Sequence, residues 1–230
     1  MAQKIAVIGM GQFGMAIAKS LTKKGAEVLI IDRNEHIIDE MGDQVALAVA
    51  MDATDKKTML SQGILDFDAV VVAIGEDFEQ LLLCTTLLMD IGVKRIMARA
   101  RGKNQRIILE KIGIEEILSP EDEVGMNVAE RLMNPSIVSY LDLPDEFCIM
   151  EVAAPPDVIG RSLLDINLRR RYHLNLITMK REQEIEKDGE TIREEHIYGI
   201  PKGDSLIQEN DSLILFGKRT HVERFIEINQ

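Results

Sequence analysis

Three glycines and one carboxylate near the start of the chain have the types and spacing of a nucleotide-binding unit. Residues 5–14 read Ile-Ala-Val-Ile-Gly-Met-Gly-Gln-Phe-Gly, and a second apolar run ends in Asp32. Gly9 permits a tight turn, Gly11 lets the backbone approach a pyrophosphate, and Gly14 lets the next helix lie close to the strand. The free amides at the N-terminus of that helix face an anion.

Asp32 narrows the ligand class. A carboxylate at the end of the second strand accepts hydrogen bonds from the ribose hydroxyls and repels a 2′-phosphate. We therefore expect NAD, ATP or ADP rather than NADP, and the neighbouring Arg33 weakens this preference slightly. The pattern names a ligand and no reaction, because many folds of this kind bind a nucleotide and catalyse nothing.

Alternating apolar strands and helices position these residues. Strands are predicted at residues 5–8, 28–31, 45–49, 69–73, 96–98 and 116–118. Helices are predicted at residues 12–24, 35–41, 56–62, 78–90, 105–112 and 121–133. This order indicates an α/β fold with a doubly wound, parallel, Rossmann-like sheet of six strands.

A change of pattern after Met133 indicates a second domain. Asn134-Pro135 ends the helix, and a short amphipathic segment at 136–141 precedes Leu143-Pro144. We predict a nucleotide-binding domain at 1–140, including the crossover helix, and a smaller α+β domain at 145–230. Its strands are expected near 147–153, 175–179, 195–200 and 212–216, with a last helix at 220–228. About 85 residues are too few for the substrate domain of a typical dehydrogenase.

Residues that follow the parallel strands are the candidates for ligand contact, because ligands bind beyond the carboxyl ends of such strands. Asp52 and Thr54 suit the edge of a base, although Asp52 suits a helix N-cap equally well. Arg99 follows the fifth strand, within a strip of six basic residues at 94–106, and can reach phosphates. The full candidate set is Gly9, Gly11, Gln12, Phe13, Gly14, Asp32, Arg33, Asn34, Asp52, Ala53, Thr54, Ala73, Ile74, Gly75, Glu76 and Arg99.

Composition excludes several partner classes. The net charge is −12 and is negative in both predicted domains, which argues against DNA, RNA or anionic lipid as the main partner. Cys84 and Cys148 lie in apolar runs and are expected to be buried thiols. With no signal peptide and no apolar run long enough for a bilayer, we expect a soluble intracellular protein that reaches a membrane through another subunit.

Two further segments of the smaller domain can be interpreted. Residues 182–195 contain nine charged groups, with Gly189 in the middle, and indicate an exposed hairpin or flexible loop. Leu176 and Ile177 are expected to fill a core.

The nucleotide motif by itself fits two functions, an oxidoreductase and a scaffold. An NAD-dependent oxidoreductase would need a proton donor beside the nicotinamide, and the four histidines, at 36, 173, 196 and 221, show no pair with catalytic spacing. A scaffold that binds nucleotide for stability alone is the other.

Taken together, the motifs resemble the RCK domains of bacterial potassium-uptake systems, closest to the cytosolic regulatory subunits of Trk/Ktr type. The shared strings are Ala-Val-Ile-Gly-Met-Gly-Gln-Phe-Gly at 6–14, Asp32-x-Asn34, Ala53-Thr54, Val-Val-Ala-Ile-Gly at 71–75, Leu-Glu-Lys-Ile-Gly at 109–113 and Pro120-Glu121. In the smaller domain they are Ile-Gly-Arg-Ser-Leu at 159–163, Leu-Asn-Leu-Ile at 174–177 and Asp-Ser-Leu-Ile-Leu-Phe-Gly at 211–217.

The resemblance implies a gating ring, usually octameric and built from dimers, bound to the cytoplasmic face of a membrane potassium-translocating subunit. ATP would open it and ADP would close it. The glycines would cradle phosphates, Asp32 and Asn34 would hold the ribose, residues 52–54 would contact adenine, and residues 74–76 would line the pocket. Glu121 would bind a divalent cation, magnesium or calcium, between subunits; from the residues alone, it would offset the helix dipole.

One position departs from the family pattern. Ktr-type subunits often carry an arginine where this chain has Gln12, and a neutral amide recognises a third phosphate poorly. Discrimination between ATP and ADP is therefore left open, as is response to NAD(H). The resemblance also raises cyclic di-AMP as a ligand of the smaller domain.

Overall fold

The computed structural model describes residues 2–187 and 190–230 and divides into two compact units, 1–123 and 124–230. Each unit has its own sheet and its own hydrophobic core.

The first unit is built on a six-stranded parallel sheet in the order β3-β2-β1-β4-β5-β6. Its strands are β1 (Lys4–Ile8), β2 (Glu27–Asp32), β3 (Leu47–Ala50), β4 (Ala69–Val72), β5 (Ile96–Arg99) and β6 (Glu116–Leu118). Its helices are α1 (Gln12–Lys23), α2 (Glu35–Gly42), α3 (Lys56–Ser61), α4 (Phe78–Asp90) and α5 (Lys103–Lys111), with the start of α6 (Pro120–Met133). The predicted doubly wound sheet is confirmed.

The central strands form because their sequences are continuous apolar runs. All four residues of β4 are buried, as expected for a strand covered by helices on both faces. Asp55 and Asp77 cap α3 and α4 by accepting hydrogen bonds from backbone amides. Strand order reverses between β1 and β4, which opens a crevice at their carboxyl ends.

The second unit is a five-stranded antiparallel sheet in the order β10-β9-β11-β8-β7 with short helices. Its strands are β7 (Ile137–Asp142), β8 (Phe147–Ala153), β9 (Asn175–Lys187), β10 (Glu190–Ile197) and β11 (Asp211–Lys218). Its helices after α6 are α7 (Leu163–Ile166), α8 (Leu168–Tyr172) and α9 (Arg219–Ile228). Val222, Phe225 and Ile226 of α9 are buried in its core.

Several boundaries differ from the predictions. The amphipathic segment at 136–141 is part of β7, which pairs with β8, so the compact units divide within α6 rather than at 140–145. The functional boundary at 140–145 stays a prediction. β9 and β10 form a much longer hairpin than expected, because backbone pairing does not require the apolar alternation that strand prediction uses. Gly189, predicted from the sequence to lie in the middle of an exposed hairpin or loop, lies outside the described residues.

Side-chain burial in the structure tests the predictions for the cysteines and for Leu176 and Ile177. Both cysteines are buried and free, as expected, and burial raises the pKa of Cys84 to about 12. Leu176 packs against the core, but Ile177 is 45% exposed, so its predicted core position is wrong. Adjacent residues of a strand point to opposite faces of the sheet, and one of these faces is open here.

Candidate nucleotide-binding site

A cleft of about 560 Å³ opens in the first unit beyond the carboxyl ends of β1 and β4. Eleven of the predicted contact residues line it: Gly9, Gly11, Gln12, Asp32, Arg33, Ala53, Ala73, Ile74, Gly75, Glu76 and Arg99. The sheet thus brings residues from the ends of five strands, β1 to β5, to one place, as expected for a parallel α/β fold.

The three glycines of the first turn have distinct surroundings. Gly9 has a φ of +92°, and a Cβ there would meet the Ile74 amide nitrogen at 2.9 Å. A Cβ on Gly14 would lie 1.9 Å from the Gly9 carbonyl oxygen. A Cβ on Gly11 would meet no atom within 4 Å. Glycine is therefore needed at positions 9 and 14 for close packing, whereas Gly11 borders open space where a ligand can approach the backbone.

The N-terminus of α1 favours an anion. Gly11 is its N-cap and supplies no capping side chain, and the first turn contains no acidic residue. The first-turn amides therefore keep their unpaired N–H groups and the positive end of the helix dipole. A phosphate over Gly11 would accept hydrogen bonds from these groups.

Asp32 joins the first turn to the end of β2. Its Oδ2 accepts a hydrogen bond from the Met10 amide at 2.6 Å, and its Oδ1 accepts one from the Asn34 amide at 2.9 Å. Each carboxylate oxygen retains a lone pair, and the side chain lines the cleft. The carboxylate is thereby held in position to accept ribose hydroxyl groups.

Asp52 is bonded on both oxygens. Its Oδ1 accepts hydrogen bonds from the amide and the hydroxyl of Thr54, at 2.8 and 2.7 Å, and its Oδ2 accepts one from Arg33 Nη2 at 2.8 Å. These bonds, those from Thr54 first, lower the pKa of Asp52 from its ordinary value of 3.8 to about 2. The same Nη2 donates to Gln80 Oε1 at 2.5 Å.

Arg99 lies at the other end of the cleft, and its side chain is only 16% exposed. Its guanidinium carbon is 5.2 Å from the centre of the Phe13 ring, and its Nη2 bonds to Glu121 in the first turn of α6. Its buried Nε has no hydrogen-bond partner among the described residues. Arg101 donates to the Gly75 carbonyl oxygen at 3.2 Å.

The other predicted contacts lie beside the cleft rather than on its wall. Asn34 caps α2 by accepting a hydrogen bond from the His36 amide, and Thr54 bonds to Asp52. Phe13 lies against Arg99, and Gly14 packs under the turn. Their roles toward a ligand stay predictions.

Sequence reasoning did not select six residues that line the cleft: Ile8, Ile31, Met51, Asp77, Gln80 and Arg101. Arg101 belongs to the basic strip that the sequence revealed, but the strip does not indicate which of its members face the cleft. Gln80 lies in the first turn of α4, beyond the strand ends where contact residues were expected.

The described residues do not assemble a cation site by themselves. No group of three or more His, Cys, Asp or Glu side chains lies close enough within them to hold a metal ion. Burial acts to raise the pKa of Glu121, but the hydrogen bond from Arg99 and the charges of Arg99 and Arg101 outweigh it and lower that pKa. One carboxylate facing two guanidinium groups does not fit a divalent cation within a single chain.

The histidines are not placed for hydride chemistry in the cleft. None of the four lies among its lining residues in the described part of the chain. His173 and His221 of the second unit have ring centres 5.4 Å apart, a pairing that their sequence spacing did not indicate.

No helix of the described residues has the length and apolarity that a membrane span requires.

This fold and this cleft define a Rossmann-type nucleotide-binding domain followed by a small antiparallel β domain. Residues 5–120 match the TrkA-N domain, and residues 149–230 match the TrkA-C domain. The chain is 32% identical to Ktr system potassium uptake protein C of Bacillus subtilis (strain 168), over 98% of this chain and 96% of that protein. It is 30% identical to Ktr system potassium uptake protein A of Vibrio alginolyticus, over 80% and 84% of the two chains.

Solved structures share the fold. The GsuK channel bound to NAD superposes with a TM-score of 0.52 at 23% identity, over 99% of this chain and 38% of that chain. The GsuK RCK domain superposes with a TM-score of 0.51 at 22% identity, over 98% of this chain and 46% of that chain. This chain therefore spans less than half the length of each of these structures.

The chain belongs to the family of TrkA-N and TrkA-C proteins that includes the Ktr potassium uptake proteins. The resemblance to RCK regulatory subunits found in the sequence is confirmed.

Proposed function

We propose that this protein is the nucleotide-sensing regulatory subunit of a potassium-uptake system and controls a membrane potassium-translocating subunit from the cytoplasmic face. Its ligand is ATP or ADP, with NAD(H) as the second candidate. The observation that carries the proposal is the cleft at the reversal of strand order, with unpaired amides over Gly11 and the carboxylate of Asp32 beside them.

The cleft fits an adenosine nucleotide in one direction. Phosphates lie over Gly11 and the N-terminus of α1, the ribose lies at Asp32, and the base extends toward residues 52–54 beyond β3. Arg99 supports the phosphate end, because its side chain is only 16% exposed there and its buried Nε has no hydrogen-bond partner among the described residues. Gln12 lines the same end as a neutral amide, so it gives little discrimination between two and three phosphates.

The Arg99–Glu121 pair supports the proposal that ligand binding in the cleft changes the contacts of helix α6. A phosphate that bonds to Arg99 competes with Glu121, which lies in the first turn of α6. The bound ligand thereby changes the environment of α6 and favours one arrangement of neighbouring copies. A tenfold preference for one arrangement supplies about 1.4 kcal/mol per site, which coupled sites of a ring add together.

Helix α6 supports self-association. None of its residues is buried, and Val124, Val128 and Leu132 are 61%, 48% and 76% exposed at a spacing of four residues. Residues four apart share one face of a helix, and a continuous exposed apolar face marks a protein interface. We propose that two copies pair through α6 and that the pairs assemble into an octameric ring.

Three finer points belong to the same proposal. The protein is a regulator rather than an NAD-dependent oxidoreductase, which agrees with a cleft that no histidine lines in the described residues. Cyclic di-AMP is a second ligand of the smaller domain, supported by a depression on the second unit that Arg169, Arg170 and Lys202 help to line. Glu121 joins a divalent cation only between two subunits with a nucleotide bound.

A potassium-uptake assay tests the proposed function. Cells that lack this protein are supplied with the wild type, with Asp32→Ala or with the control Asp39→Ala, whose carboxylate is exposed on α2. We expect uptake to return with the wild type and the control and to stay low with Asp32→Ala. Full uptake with Asp32→Ala would show that the protein acts as a scaffold, and unchanged uptake without the protein would exclude a role in transport.

A further inference from the structure

Three side chains are joined at the end of the cleft where the base would lie: Arg33 and Gln80 line the cleft, and Asp52 bonds to Arg33. Arg33 follows β2, Asp52 lies two residues after β3, and Gln80 lies in α4, which follows β4. In the sheet order, β1 separates β2 and β3 from β4. Arg33 Nη2 bonds to Asp52 Oδ2 at 2.8 Å and to Gln80 Oε1 at 2.5 Å, so one guanidinium group joins the two sides of the cleft.

We propose that this strap of Arg33, Asp52 and Gln80 determines specificity, and that Asp52 makes the site reject nucleotides that carry a 2′-phosphate. The inference rests on the proposed function, because it assumes an adenosine nucleotide in the cleft. It assigns Asp52 and Gln80 the role of holding Arg33.

An arginine near the ribose acid ordinarily accommodates a 2′-phosphate. In this chain both N–H groups of Arg33 Nη2 are directed to Asp52 and Gln80. A 2′-phosphate that recruited Arg33 Nη2 would draw it away from Asp52, and Asp52 would keep its hydrogen bonds from Thr54 but lose its cationic partner. The backbone supports the closeness of the two acids, since the Met51 amide donates to the Asp32 carbonyl oxygen at 2.9 Å.

The charges then oppose a 2′-phosphate. Asp32 and Asp52 supply two negative charges, and Arg33 supplies one positive charge. Asp52 stays ionised at neutral pH, because its pKa is about 2. A ribose with a free 2′-hydroxyl adds no charge and can donate a hydrogen bond to Asp32. In the sequence, Asp32 disfavours a 2′-phosphate and Arg33 favours one. Because Asp52 pairs with Arg33, the site should prefer nucleotides without a 2′-phosphate.

Calorimetry on the full chain tests this with two pairs of probes that differ only by the 2′-phosphate: NAD with NADP, and 5′-AMP with adenosine 2′,5′-bisphosphate. Asp52→Asn keeps an acceptor for the Thr54 amide and removes the charge. We expect the wild type to prefer the unphosphorylated member of each pair. We expect Asp52→Asn to reduce that preference about tenfold, the order of one charge-assisted hydrogen bond.

The double variant Arg33→Ala/Asp52→Asn should not show this reduced preference, because the cation that Asp52→Asn releases is absent. Gln80→Leu should reduce the preference less than Asp52→Asn does, because it removes one of the two partners of Arg33 Nη2 and leaves the charge of Asp52 in place. Asp52→Ser serves as the second variant, with thermal melting of each protein as a check of folding. Equal preference in the wild type and both Asp52 variants would overturn the inference, whereas absence of any nucleotide binding by the wild type would overturn the proposed function itself.

Discussion

The guanidinium group of Arg99 occupies the space where a side chain on residue 75 would lie. Its Nη1 is 2.6 Å from the position of a Cβ built on Gly75. The glycine after β4 thus leaves room for a partly buried cation at the phosphate end of the cleft. This contact explains why Gly75 is a glycine, although its φ does not lie in the left-handed region.

Gly75→Ala is therefore expected to displace Arg99. The end of a flexible side chain can move, so we expect the free energy of unfolding to change by at most about 1 kcal/mol. Affinity for ADP and ATP should fall about tenfold, because a charged hydrogen-bond donor leaves the phosphate end. Urea unfolding and calorimetry measure the two effects.

Two controls isolate the cause. Gly42→Ala, on α2, adds a methyl group that meets no atom within 4 Å and should leave binding unchanged. In an Arg99→Ala background, Gly75→Ala should add no further loss, because the shared partner is already missing. A full additional loss in that background would show that the methyl group acts on the ligand directly.

The first-turn glycines should separate folding from binding. Gly14→Ala places a Cβ 1.9 Å from the Gly9 carbonyl oxygen, so it should destabilise the protein by about 3 kcal/mol. Gly11→Ala meets open space and should change stability by less than about 0.5 kcal/mol, but its methyl group would stand between the backbone and a phosphate. Thermal melting and nucleotide titration should therefore rank the two variants in opposite orders, and equal nucleotide affinity in Gly11→Ala and the wild type would place the phosphates elsewhere.

The sequence predicts the first unit well because each element carries a local signal. Apolar runs, capping residues and glycines specify the order of strands and helices, and the parallel sheet then brings Gly9, Asp32 and Arg99 to one edge. Contacts between distant side chains have no such signal. The bond from Arg33 to Gln80 joins residues 47 positions apart, and the fit of Arg99 against Gly75 depends on side-chain packing.

Asp52 should contribute to stability in a defined pH range. Its pKa is lowered from 3.8 to about 2 by bonds from Thr54 and Arg33, so its contribution is present above about pH 4 and is lost as the pH falls toward 2. The side chain is 47% exposed, which keeps this contribution small through solvent screening. The difference in unfolding free energy between the wild type and Asp52→Asn, measured by urea unfolding, should shrink across this range; a constant difference from pH 6 to pH 2 would contradict the pairing.

The exposed apolar face of α6 should hold two copies together. Leu132→Lys places a charge at a residue that is 76% exposed, so it should leave the single chain folded and shift the assembly toward monomers. Ile200→Lys is the matched control, because Ile200 is 91% exposed and lies in the segment that follows β10. Sedimentation velocity measures the assembly, and an unchanged assembly in Leu132→Lys would exclude α6 as the interface.

Calorimetric titration of the purified full chain with ATP, ADP, NAD and NADH tests the central claim most directly. We predict saturable binding of at least one of these nucleotides by the wild type and by Asp39→Ala, and no measurable binding by Asp32→Ala that still melts cooperatively. Absence of binding by the wild type, or equal affinity in Asp32→Ala, would contradict the assignment of this cleft as the nucleotide site.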